Sequence, residues 1–69
     1  MTSNNPTYAD VVVQLSGTDG NAFTVIARVT QALRQHADHE AATTFSDAAF
    51  SCGSYDQVLD LAMRTVTVL

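Results

Sequence analysis

The sequence predicts a small α/β (α+β) domain with the element order β-α-α-α-β, in which two end strands pair under three short helices. Three observations support this fold. Residues 10–16 form a short run rich in β-branched side chains, three later stretches place apolar residues at helical spacing, and residues 65–69 alternate threonine with valine. We expect residues 1–9 to be a flexible arm, because they are polar and aperiodic, and residues 10–69 to form a single domain.

The first strand is predicted over Asp10–Ser16. Because successive side chains of a strand point to opposite faces, Val11, Val13 and Leu15 should share the buried face. Val12 and Gln14 should then lie on the other face.

Asp19 and Asn21 are both suited to cap the first helix, which should end between Gln35 and Ala37. Asp38 can cap a second helix, and Ser54, with Gln57 three residues later, matches a capping box for a third. The apolar positions that recur at helical spacing in the first helix are Ala22, Val25, Ile26, Val29 and Leu33. The second helix should bury Ala41, Ala42, Phe45, Ala48 and Ala49, and the third should run through Val58, Leu59, Ala62 and Met63.

The predicted sheet has only two strands, and such a sheet is marginally stable in water. A chain of 69 residues also buries a limited core, and its single cysteine cannot form an internal disulfide. We therefore expect a homo-oligomer, most simply a homodimer in which the sheet is extended across a two-fold axis.

Composition makes some partners less favourable than others. Three arginines, no lysine and seven acidic residues give a net charge of -4, which disfavours nucleic-acid binding. A nucleic-acid site would need Arg28, Arg34 and Arg64 on one patch. No stretch approaches the roughly 20 apolar residues that cross a bilayer, and no secretory signal is recognisable, so we expect a cytoplasmic protein without membrane contact. No cofactor is expected.

The segment from Gly17 to Asn21 allows two interpretations. Backbone N–H groups of a glycine-containing bend at a helix start can bind an anion. However, Asp19 would repel a phosphate, and the segment has neither a third glycine nor the lysine of a phosphate-binding loop. A turn and helix cap is the default interpretation.

His36 and His39, together with Asp38, Glu40 and Cys52, could be drawn as metal ligands, but the two histidines flank a predicted helix break. We therefore predict exposed histidines at a corner. Cys52 could be a nucleophile next to a helix start, although a small core side chain is the alternative that we favour.

Tyr55 and Asp56 begin the third helix. Tyrosine is a common interface anchor, and aspartate in a first turn also simply complements the helix dipole. Partner contact and packing remain open for this pair.

Two motifs carry a resemblance over about residues 11–68. The chain is similar to a group of small uncharacterised bacterial, plasmid and phage proteins with the patterns L-x-G-x-D-G-N-A-F and S-G-D-Y-D-x-L-L, followed by M-x-x-V-x-V. The matching residues are Leu15, Gly17, Asp19, Gly20, Asn21, Ala22, Phe23, Gly53, Tyr55, Asp56, Leu59, Met63, Val66 and Val68. Cys52 and Ser54 stand where the group has serine and aspartate, and the first helix is less basic than in the group. The resemblance implies a small domain, with no assigned reaction.

Two functional hypotheses follow. The first is an interaction module that binds another protein, as an accessory of a mobile genetic element and without enzyme activity. The alternative is a small-ligand or metal-binding domain, or a minimal enzyme, in which Asp19, Asn21, Tyr55 and Asp56 surround one pocket. The alternative requires the two motif turns to meet in space.

Overall fold

The computed structural model describes residues 6–15 and 21–69, and its elements follow the predicted order. They are β1 (Tyr8–Val13), α1 (Ala22–His36), α2 (His39–Phe50), α3 (Tyr55–Thr65) and β2 (Val66–Val68). The prediction of two end strands paired with three intervening helices is confirmed.

The two strands run parallel. Val12 pairs with Thr67 and Val13 with Val68, whereas the register is irregular between Tyr8 and Val12. Pairing continues beyond the strands, since the Leu69 N–H donates to the Val13 carbonyl at 3.0 Å and the Leu15 N–H donates to the Leu69 carbonyl at 3.2 Å. Parallel pairing requires a long crossover, which the three helices supply.

One face of the sheet packs against the helices. Val11, Val13 and Leu15 are buried, while Val12 is 53% exposed and Gln14 is exposed, as the alternation predicts. The core continues through α1 with Val25, Ile26, Val29 and Leu33, through α2 with Ala41, Ala42, Phe45 and Ala49, and through Val58, Ala62 and Val66.

One predicted core position is wrong, since Ala48 of α2 is exposed. Ala48 directly precedes the buried Ala49, so a small rotation of the helix face is enough to misassign it. In α3, Met63 is 53% exposed, whereas Leu59 and Leu61 pack partly buried against the core.

The predicted helix caps are present. The Ala41 N–H donates to the Asp38 carboxylate at 2.6 Å, and the Gln57 N–H donates to Ser54 Oγ at 3.2 Å. The return bond of the capping box differs from the standard form: Gln57 Oε1 accepts from the N–H of Gly53, one residue before the cap, at 2.7 Å. Both caps fix the direction in which the chain enters a helix.

The strand boundaries differ from the prediction. β1 begins at Tyr8, inside the segment expected to be a flexible arm, because Tyr8 pairs with Val66 and packs against the core. β2 begins only at Val66, because α3 continues to Thr65, whose hydroxyl donates to the Leu61 carbonyl at 2.7 Å. Among the described residues, no helix is long and apolar enough to cross a membrane.

Candidate functional site

Asn21 is the N-cap of α1. Its side-chain oxygen accepts from the Phe23 N–H at 2.9 Å and from the Thr24 N–H at 3.3 Å. These N–H groups are among those that would bind an anion at this helix start, so the cap competes with the anion-binding interpretation. Gly17, Asp19 and Gly20 lie outside the described residues.

Tyr55 and Asp56 occupy the first turn of α3. Tyr55 is partly buried against the core, whereas Asp56 is exposed, where its charge complements the helix dipole. Tyr55 lines a groove of about 250 Å³, which we call the motif groove. Its other lining residues are Ala22, Phe23, Ile26, Ala49, Phe50, Cys52, Gly53, Ser54 and Val58.

The motif groove joins parts of the two sequence motifs. Ala22 and Phe23 come from the first motif, and Gly53 and Tyr55 come from the second. Asn21 and Asp56 are neighbours of these residues in the chain but do not line the groove. Of the four residues predicted to form one site, Tyr55 is the one that lines the motif groove. The full site of Asp19, Asn21, Tyr55 and Asp56 therefore stays a prediction.

The two histidines lie at the corner between α1 and α2. His36 is the last residue of α1 and His39 is the first of α2, and both are exposed. Within residues 6–15 and 21–69, no three side chains of the metal-binding types gather into a site.

Cys52 is partly buried and packs against the core. Its thiol lies 3.5 Å from the Ala48 carbonyl, to which it donates a weak hydrogen bond. This environment resembles that of a packed structural cysteine.

A pair of exposed aromatic side chains among the described residues is not predicted from the sequence. Phe23 and Phe50 are 70% and 61% exposed, and their ring centroids lie 6.1 Å apart at an interplanar angle of 43°. This distance is within the range of interacting aromatic pairs. We call this pair the aromatic ridge. The third phenylalanine, Phe45, is 3% exposed in the core, so the exposure of the other two is not general for this residue type.

A groove lies on each side of the aromatic ridge. The motif groove extends toward α3. A second groove, of about 400 Å³, extends between α1 and α2, and we call it the hairpin groove. Besides the two phenylalanines, the hairpin groove is lined by Ile26, Ala27, Thr30, Gln31, Arg34 and Ser46. Ridge and grooves form one continuous surface, since Phe23 and Phe50 line both grooves.

A sequence signal for the ridge did exist. Phe23 and Phe50 both lie beside the buried stripe of their helix, next to Ala22 and Ala49. Each position falls outside the buried stripe, but single exposed apolar side chains are common, so this signal indicates exposure and not the pairing of the two rings.

Two further grooves lie around the start of β1 and the α1–α2 corner, with volumes of about 270 Å³ and 470 Å³. Both are lined by Asp38, and they include Glu40 and Asp10 respectively. These acid-lined surfaces differ in charge from the ridge, whose grooves contain no carboxylate among the described residues.

Comparison with known proteins supplies no relative: the chain matches no protein-family model, no curated protein and no solved structure.

Proposed function

We propose that this protein is a small interaction module that binds another protein chain through the aromatic ridge. The observation that carries the proposal is the exposed pair of Phe23 and Phe50 with a groove on each side. Single exposed apolar side chains are normal on protein surfaces, whereas a contiguous apolar patch with a polar rim marks an interaction site.

The energetics favour a protein partner. A phenylalanine buries on the order of 150–250 Å² when it is covered, at about 25 cal/mol per Å². Covering the exposed parts of both rings would therefore contribute several kcal/mol. Aromatic side chains that enter a desolvated groove are typical binding hot spots, and the grooves beside the ridge offer the matching cavities for a partner's side chains.

A small-ligand site in the motif groove is the second candidate, favoured by the contribution of both sequence motifs to that groove. Its volume of about 250 Å³ is smaller than the ~300–1,000 Å³ typical of ligand pockets. The groove holds few polar side chains, chiefly Ser54 and Tyr55, so it lacks the convergent polar groups of such pockets. A side chain of a protein partner suits it better.

The expected cellular setting is a cytoplasmic accessory protein of a mobile genetic element. The free Cys52 and the resemblance to plasmid and phage proteins support this setting. This proposed cellular setting does not depend on which surface of the protein binds the partner.

The test compares two variants that each remove one exposed apolar side chain. Phe50→Ser changes the ridge, and Met63→Ser changes a side chain of similar exposure, 53% against 61%, outside the ridge and its grooves. Partners, including a second copy of this chain, are recovered by affinity capture, then purified and titrated against each variant.

We expect Phe50→Ser to weaken binding by about tenfold or more, as for a hot-spot residue, and Met63→Ser to leave it unchanged. Circular dichroism confirms that both variants are folded. If every purified partner bound Phe50→Ser as tightly as the unmodified protein, the ridge would not be the contact surface.

A further inference from the structure

We propose that the partner of the aromatic ridge is a second copy of this chain. In this two-fold dimer, the ridge of each copy enters the hairpin groove of the other. The proposal rests on the proposed function and adds the identity of the partner and the geometry of the contact.

The first argument is shape. The ridge and the hairpin groove lie on the same face, with Phe23 at one end of the groove and Arg34 on the same helix further along it. The two residues are separated by about 16 Å along α1, at 1.5 Å per residue. A two-fold axis halfway between them, at the level of Ala27 and Thr30, brings each ridge onto the Arg34 end of the other groove. A protrusion and a cavity side by side on one face are what a self-complementary two-fold contact requires.

The second argument is charge. Each copy has a net charge of -4, so two copies repel each other at most orientations. The described residues that line the ridge grooves include no carboxylate, whereas the grooves near β1 include Asp10, Asp38 and Glu40. Contact through the ridge face therefore avoids facing these carboxylates. It also places the Arg34 guanidinium against the partner's phenylalanine rings, which is a favourable cation–π arrangement.

The third argument is area. A standard interface buries about 800 Å² per partner, which is less than a fifth of the 4523 Å² surface of this chain. One broad face of a molecule with extents of 30 × 27 × 23 Å supplies that area. The sheet edges supply less, because β1 has 6 residues and β2 has 3. In addition, the Gln14 carbonyl, directly after β1, already accepts from Arg28 Nη1 at 3.0 Å.

The experiment uses the symmetry of the proposed contact. Ala27 is exposed and lines the hairpin groove close to the proposed axis, so Ala27→Glu or Ala27→Lys places two like charges face to face in a homodimer. Glutamate and lysine are both good helix formers, so neither variant should disturb α1 itself. Sedimentation velocity over a concentration series measures the dimer dissociation constant.

We expect the unmodified protein to dimerise and each charge variant alone to dimerise at least about tenfold more weakly. An equimolar mixture of the two variants should restore dimers, because each pair then brings opposite charges together. Val12→Glu, on the exposed face of the sheet, serves as the matched control and should leave the dissociation constant unchanged.

Two results would overturn the proposal. Dimers that persist in Ala27→Glu and are lost in Val12→Glu would place the contact at the sheet. A protein that stays monomeric at high micromolar concentration would rule out a second copy, and the proposed function would then survive only if a different purified protein lost affinity for Phe50→Ser. If neither a second copy nor another protein depended on Phe50, both proposals would fail.

Discussion

The side-chain oxygen of Asn21 accepts hydrogen bonds from two backbone N–H groups at the start of α1. The side chain of this motif residue is thus engaged in local structure, although the same residue belonged to a predicted binding site. At the scale of single residues, a cap and a ligand-binding group differ in which substitutions they tolerate. A cap needs an oxygen acceptor and accepts aspartate, serine or asparagine about equally.

We expect Asn21→Ala to lower the free energy of unfolding by about 1 kcal/mol, because it leaves backbone donors of the first turn without a side-chain acceptor. Asn21→Asp should be neutral or slightly stabilising, since a negative charge is favourable at a helix N-terminus and the first turn of α1 contains no acidic residue. Urea denaturation followed by circular dichroism measures both. Equal destabilisation by alanine and aspartate would contradict the role as a cap.

Leu33 tests the core at the same scale. It is fully buried, and Leu33→Ala should cost about 2–5 kcal/mol through lost burial and a cavity. A domain of this size has a total stability of roughly 3–10 kcal/mol, so this variant should lose a large share of its free energy of unfolding. Leu69→Ala, which removes the same atoms from a side chain that is 68% exposed, is the control and should change stability little. Similar losses in both variants would mean that Leu33 is not in the core.

Sequence reasoning was effective for residues whose role is local. The caps at Asn21, Asp38 and Ser54 were predictable because each accepts bonds from N–H groups two or three positions later. Phe23 and Phe50 were not recognised, because their significance depends on their meeting across two helices. The second motif likewise lies near the start of α1 because of how the helices pack, which local sequence patterns do not show.

At the scale of elements, α1 and α2 form a helical hairpin in which the α2 face toward the core is made mainly of alanines. Ala42 and Ala49 are 0% and 2% exposed. Small side chains allow close approach of the two helices, and that approach brings Phe50 next to Phe23. The predicted buried face of α2 is rotated slightly from the observed one, because Ala48 was placed in the core and is exposed.

This rotation can be tested with a matched pair of substitutions. Ala42→Leu inserts a large side chain into a packed contact and should cost about 1–3 kcal/mol or more. Ala48→Leu makes the same chemical change at an exposed position of the same helix and should cost little. Thermal denaturation measures the melting temperature of both variants. A larger decrease for Ala48→Leu than for Ala42→Leu would indicate that Ala48 is buried in the core.

The alternation of threonine and valine does not indicate the direction of strand pairing. The alternation in residues 65–69 predicted a strand without indicating whether it pairs parallel or antiparallel, and it also extended the strand into Thr65. Thr65 instead ends α3, where its hydroxyl donates to the Leu61 carbonyl. The start of β1 at Tyr8 was likewise set by pairing with a distant segment.

At the scale of the whole molecule, the thin core and the exposed ridge are linked. A chain of 69 residues hides a modest share of its surface, and a second copy would cover apolar area that the monomer leaves exposed. Association of folded chains then stabilises the fold by mass action.

We therefore expect the melting temperature to rise with protein concentration, which differential scanning calorimetry can follow over a hundredfold range. In Phe50→Ser the melting temperature should be independent of concentration, because the folded state no longer associates. A melting temperature that is equally constant in the unmodified protein would show that association makes no contribution to its stability.

The sequence separation of the two end strands also bears on the order of folding that we expect. The Thr67 hydroxyl donates to the Ala9 carbonyl across 58 positions of sequence, whereas the contacts between α1 and α2 are between neighbours in the chain. Closing the longer loop carries the larger entropic cost, so the helical hairpin is favoured as the early structure and the sheet as the late one. We therefore expect Val11, Val13 and Val66 to stay in contact with water until the sheet closes, which leaves these apolar strands available to other molecules in incompletely folded chains.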